Sequence, residues 1–230
     1  MTPYAKNIVL DLEFTSIPED KRAMGLADEI IEIGAVKCLP TGEVVDEFDR
    51  LVKPQLTPRI SRVVRRITGI SNEDLVFAKP LTQVLDEFRE WIGSERCRIV
   101  TWSPCDRKQI TLECEYKGIE PNLPTRWLDI QRLYPRLMGT RKRLVALGEA
   151  ADWCGIANEK SKAHRALYDA QMTAEIFAMM AQGACAEHRE RLERELGAKS
   201  EHAHCSSTIE SRCAGLKDLL STLRELEGAA

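Results

Sequence analysis

Residues 7–14, Asn7-Ile8-Val9-Leu10-Asp11-Leu12-Glu13-Phe14, form a short run rich in bulky and β-branched apolar side chains. Such a run reads as a buried strand, here with two acids inside it. Side chains alternate across a strand, so Asp11 and Glu13 share one face while Leu10, Leu12 and Phe14 share the other. Burying two like charges side by side is costly unless something compensates. A divalent cation, which prefers hard oxygen ligands, is one compensation. A strand end at the surface with both acids in water is the other reading this pair allows.

Two further strand-like runs follow, residues 29–38 (EIIEIGAVKC) and 44–52 (VVDEFDRLV). The turn Leu39-Pro40-Thr41-Gly42 joins them as an antiparallel hairpin. After Pro54 the period changes. Leu81, Val84, Leu85, Phe88 and Trp91 share one helical stripe, with Pro80 suited to the first helical position. Residues 97–102 (CRIVTW) read as a buried strand, and Ser103-Pro104 as the start of a helix that stops at Gly118. Residues 126–130 are a candidate short strand, and Leu144, Leu147 and Ala151 mark a helix ending near Gly155. A last helix over 165–182 carries the stripe Leu167, Ala170, Ala174, Phe177 and Ala181. This alternation predicts an α/β domain over residues 1–182.

From Gly183 the texture becomes dense in charge and histidine, before Ile209, Leu216, Leu220, Leu223 and Leu226 form a second amphipathic stripe. Residues 183–230 are therefore expected to form a helical C-terminal appendage. Its stripe could dock on the domain, form a homodimer seam or bind a partner helix. Cys185, His188, His202, His204, Cys205 and Cys213 match no standard zinc spacing.

Composition narrows the classes further. The 230 residues are 43% hydrophobic and 30% charged, which excludes a disordered or collagen-like chain. Lys plus Arg total 33 against 36 Asp plus Glu, a net charge of −3, so nucleic acid is not coated through bulk positive charge. Any such contact must be local. No run approaches the ~18 apolar residues of a membrane span, and Asp11 and Glu13 interrupt the only apolar N-terminal run. An intracellular, cytoplasmic chain without a membrane partner is expected, and its eight cysteines read as reduced thiols.

Three more residues complete a pattern. Asp106 opens a helix directly after a strand, where α/β sheets present functional side chains, although the helix dipole alone favours an acid there. His164 and Asp169 lie in AHRALYDA at the start of the last helix. Singly, each could be an ordinary surface residue. In order, Asp-x-Glu on a first strand, an Asp after a later strand and His-x4-Asp opening a helix form a specific combination.

The set Asp11, Glu13, Asp106, His164 and Asp169 resembles the DEDDh branch of the DnaQ-like 3′-to-5′ exonucleases, over about residues 5–181. EIIEIGAV, RITGIS and the segment Leu144 to Ile156 match as well. LDLEFT, TWSPCDRKQI and RWLDIQRLYPRLMG look most like the Eri-type RNA exonucleases, which trim RNA 3′ ends, rather than polymerase proofreading subunits. The third motif has Trp-Ser-Pro-Cys-Asp where the family more often has a glycine-containing Trp-Gly form.

The resemblance implies a ribonuclease H-like mixed five-stranded sheet flanked by helices. It also implies two divalent ions, Mg²⁺ or Mn²⁺, and hydrolysis from the 3′ end of single-stranded RNA or DNA, RNA favoured. Asp11 would bridge the ions, Glu13 and Asp169 would hold one with it, and Asp106 would act on the second through water. His164 would be the general base. Phe14 and Thr15 would meet the terminal nucleotide, and Thr68, Gly69 and Ile70 would pack near the terminal bases. Arg59, Arg62 and Arg66 form either a phosphate-tracking stripe or a solvated helix face. The alternative is a non-catalytic nucleic-acid or protein binding module on the same fold.

Overall fold

One mixed sheet of five strands runs in the order β3-β2-β1-β4-β5. β1 (Lys6–Ser16), β2 (Asp28–Cys38) and β3 (Val44–Leu51) pair antiparallel, while β4 (Cys97–Thr101) and β5 (Trp127–Asp129) extend the sheet from β1 in parallel. The computed structural model describes residues 4–22, 25–135, 144–159 and 163–181. The C-terminal appendage, its stripe and the dimer seam it allowed lie outside the described residues.

From Glu29 to Cys38 every residue of β2 is buried, which explains its nearly unbroken apolar sequence. The parallel pairs need crossovers, and helices supply them. α1 (Arg62–Thr68), α2 (Asn72–Leu75) and α3 (Leu81–Ile92) lead from β3 to β4; α4 (Cys105–Lys117) leads from β4 to β5. α5 (Leu147–Cys154) and α6 (Ala166–Ala181) follow.

The sheet carries a separate core on each face. Ile8, Leu10 and Leu12 of β1 pack with Val84, Leu85 and Phe88 of α3 and with Ile110 and Cys114 of α4. Val9, Val36 and Val100 face the other way, against Ala150 and Ala151 of α5 and Met172, Ile176 and Phe177 of α6. Burial of large apolar side chains on both sides stabilises the sheet by roughly 1.5–3 kcal/mol per residue. Because Asp11 and Glu13 follow Val9 at even spacing, they face α6.

Most boundaries fall within two residues of expectation, with local differences at helix starts. Pro80 and Pro104 are N-caps rather than first helical residues. Pro80 still accepts from Gln83 and Val84 N–H through its carbonyl, and its missing N–H costs nothing at a cap. Leu144 precedes α5 and is exposed, because the helix opens only at Leu147 after an extended Ala146. The five described cysteines, Cys38, Cys97, Cys105, Cys114 and Cys154, are free thiols. Among the described residues no helix is long and apolar enough to cross a membrane.

Candidate active site

Asp11 pairs across the sheet with Gly34 and Glu13 with Glu32. Immediately beyond, β2 carries one extra residue, Ile31, so that Phe14 pairs with Ile30. Such a bulge bends a strand and re-aims its side chains, and bulges recur beside active sites. Phe14 is half-buried against the α3 side of the core, and Thr15 is buried.

Asp106 comes to the same place from α4. It is 4% exposed, and the backbone amide of Leu12, the residue between the two acids of β1, acts to hold its carboxyl pKa down. The Trp-Ser-Pro-Cys-Asp turn permits this. Thr101 Oγ1 donates to the Ser103 carbonyl at 2.7 Å, and Ser103 Oγ accepts from Cys105 N–H at 3.2 Å. The departure from a glycine-containing turn therefore leaves Asp106 beside β1.

His164 and Asp169 arrive with the start of α6, which rests directly on β2 at Gly34. A Cβ there would lie 2.0 Å from Leu167 N and 2.1 Å from Ala166 C, so only glycine admits the helix. His164 has φ of 62°, the left-handed region, where histidine is more often found than most residues. One donor atom each from Glu13, His164 and Asp169 lie within 4.8 Å of one another. Asp169 Oδ1 is buried without a hydrogen-bond partner.

Crowding shows in the electrostatics. Burial, then Asp106, Asp169, Glu13 and Glu32, hold the Asp11 carboxyl well above the usual range. Burial first, then Asp169, Glu32 and Asp106, push Glu13 to about 8, against the opposing pull of Arg165. Asp106 is pushed to about 7, mainly by burial and offset by its backbone hydrogen bonds. Asp169 rises to about 6 by burial, with the charge and backbone of His164 opposing.

The residues expected at the substrate are placed unevenly. Thr68 and Ile70 are buried; Thr68 Oγ1 donates to the Val64 carbonyl and accepts from Ile70 N–H, so both shape the turn after α1. Gly69 is exposed between them in the left-handed conformation. Arg66 and Arg62 are exposed on α1, but Arg59 precedes the Ser61 cap. The three arginines therefore do not form one helix face.

Sequence reasoning passed over Glu32, Arg165 and Asp129. Glu32 is fully buried and bound to Arg165, and Asp129 at the end of β5 adds to the field on Asp106. For Glu32 a signal existed: an acid between Ile31 and Ile33, inside the apolar part of EIIEIGAV.

The sequence and the fold have known relatives. The sequence profile of the exonuclease family (RNase_T) matches residues 8–177. The chain belongs to this family. It is 32% identical over 178 residues to the PolC-type DNA polymerase III of Staphylococcus aureus; the match covers 77% of this chain but only 11% of the polymerase. Among solved structures, the nuclease domain of 3′hExo, a DEDDh family member bound to rAMP, superposes with a TM-score of 0.69 at 21% identity. That match covers 79% of this chain and 94% of the domain. Exonuclease I of E. coli in complex with a dT13 oligonucleotide superposes with a TM-score of 0.62 at 13% identity, over 84% of this chain and 43% of that one. The mixed sheet and its flanking helices are thus the ribonuclease H-like fold of exonucleases.

Proposed function

We propose that this chain is a metal-dependent 3′-to-5′ exonuclease that hydrolyses phosphodiester bonds from the 3′ end of single-stranded nucleic acid. The observation that carries the reading is the convergence of Asp11, Glu13, Asp106, His164 and Asp169 from β1, α4 and the start of α6. Residues 1–182 would form the exonuclease unit.

The donor set fits a divalent cation. Four carboxylates crowd a site where each is held above its ordinary pKa, and a buried oxygen of Asp169 has no partner. Carboxylate oxygens suit Mg²⁺ or Mn²⁺. Two such ions, when bound, activate water and neutralise charge on the scissile phosphate. Asp11 would bridge the two, Glu13 and Asp169 would hold one with it, and Asp106 would reach the second.

His164 takes the proton of the attacking water. It is exposed and offers a ring nitrogen within 4.8 Å of donor atoms of Glu13 and Asp169, and histidine is the side chain most often used as a general base. The main chain at Phe14 and Thr15 would meet the terminal nucleotide, Gly69 would border its base and Arg66 would contact a phosphate. RNA is the favoured substrate on the strength of the Eri-type phrases, with the 2′-hydroxyl as the group to be read. The rAMP complex of 3′hExo supports RNA and the dT13 complex of exonuclease I supports DNA, each for its own protein.

Metal dependence tests the reading. Digestion of a short single strand should stop in EDTA and return with Mn²⁺, whereas undiminished digestion by metal-stripped protein would overturn it. Binding without any shortening in Mn²⁺ would instead favour the non-catalytic module.

A further inference from the structure

Glu32 is a fully buried acid beside the proposed site, yet its oxygens are already engaged. Oε1 accepts from Arg165 Nε at 2.9 Å and from Nη2 at 2.5 Å; Oε2 accepts from Ala166 N–H at 2.8 Å. These donors leave Glu32 poorly placed to serve as another metal ligand. They are also the two residues that immediately follow His164. The same Arg165 Nη2 lies 4.0 Å from Asp49 Oδ2 of β3.

Gly34 completes the arrangement. It shares the strand with Glu32 two residues on, and its lack of a Cβ lets Ala166 and Leu167 sit against the sheet. The body of α6 is held separately, by burial of Ala170, Met172, Ala174 and Ile176. Glu32 reaches α6 at its start, through Arg165 just before the helix and Ala166, its first residue. Holding them fixed holds His164 in its left-handed conformation above Glu13 and Asp169.

We infer that Glu32 is a positioning residue for His164: its carboxylate clamps Arg165 and Ala166 to β2 and so fixes the general base over the carboxylate cluster. The inference rests on the exonuclease reading and deepens it. It differs from a purely structural role in one respect. Loss of Glu32 should matter only while His164 is there to be positioned.

The test is a double-mutant cycle on the full chain with Mn²⁺ and a short single strand. Glu32→Gln keeps the shape but removes the charge that holds the guanidinium. It should lower kcat by about 10²-fold, the scale of a misplacement near 1 Å, while KM and the Mn²⁺ titration midpoint stay within about twofold of wild type. In the His164→Ala background the same change should alter the residual rate by less than about twofold.

Losses that multiply across the cycle would overturn the inference, as would an unchanged kcat in Glu32→Gln when His164→Ala is slow. If His164→Ala itself retains the wild-type rate, the general-base reading fails and this inference falls with it. Arg165→Gln breaks the same clamp from its half-exposed side and covers the case in which Glu32→Gln does not fold. It should also lower kcat, by about tenfold, and only when His164 is present.

Discussion

Asp11 is the residue on which the repulsion converges, flanked by Glu13 on its own strand and faced by Asp106 and Asp169. Replacing it by Asn removes one charge and, on the proposed reading, one metal ligand together. Asp11→Asn should therefore lose nearly all turnover and raise the melting temperature of the metal-free protein at pH 8, as read by activity and thermal unfolding in EDTA. Losing a base is milder than losing a ligand. His164→Ala should slow the reaction by about 10²–10⁴-fold with Mn²⁺ affinity near wild type; a collapse of Mn²⁺ binding would make His164 a ligand, the role its 4.8 Å grouping with Glu13 and Asp169 leaves open. At this scale the sequence was legible where acids interrupt a pattern that should be apolar, as at Asp11 and Glu13. Glu32 interrupts β2 in the same way, but its significance depends on Arg165, 133 positions away in the chain. No local spacing announces such a pair.

The helices and strands that position the site depend on buried links between them. Lys117 of α4 lies between Glu29 and Glu113, at 3.1 and 2.7 Å, with both acids fully buried. Glu29 also accepts from the backbone of Gln55, Leu56 and Thr57, and Glu113 from Ile30 N–H. The three side chains thus join α4, β2 and the chain leading to α1. Lys117→Met leaves two buried carboxylates without their cation and should destabilise the fold by about 3–5 kcal/mol in urea unfolding; an unchanged midpoint would show that backbone donors suffice. Among elements, α3 and the strands were legible because their periods are set by faces buried against the core. α1 and α2 were not, being too short for a period to show. They are started instead by Ser61, which accepts from Val64 N–H, and by a capping box between Ser71 and Asp74. That late start at Arg62 is also why the expected arginine stripe does not share one helix.

Across the whole molecule, the raised carboxylates set the pH dependence of stability. A carboxyl whose folded pKa exceeds its unfolded value keeps its proton longer in the fold, so stability falls as pH rises between the two values. Without metal, these three groups should make the melting temperature fall from about pH 4, near their ordinary values, to about pH 8, with the contribution of Asp169 complete near 6, that of Asp106 near 7 and that of Glu13 near 8. Each kcal/mol lost is worth about 2–4 °C in a domain of this size. Excess Mn²⁺ should flatten the fall, because it binds the ionised cluster of the native state; a metal-free melting temperature that rises over this range would contradict the assignment. The fold class was legible from the order of strands and helices, and the candidate site from the order of five polar residues, since both are properties of the chain. Substrate choice depends on one or two contacts that the sequence does not single out. The direct measurement is digestion of the same single strand, as RNA and as DNA, labelled in turn at its 5′ and 3′ ends, by the purified chain with Mn²⁺. A 3′-to-5′ exonuclease that favours RNA gives a ladder of progressively shorter 5′-labelled products, immediate release of the 3′ label as a mononucleotide, and faster decay of RNA. Internal cleavage, or shortening from the 5′ end, would contradict that reading.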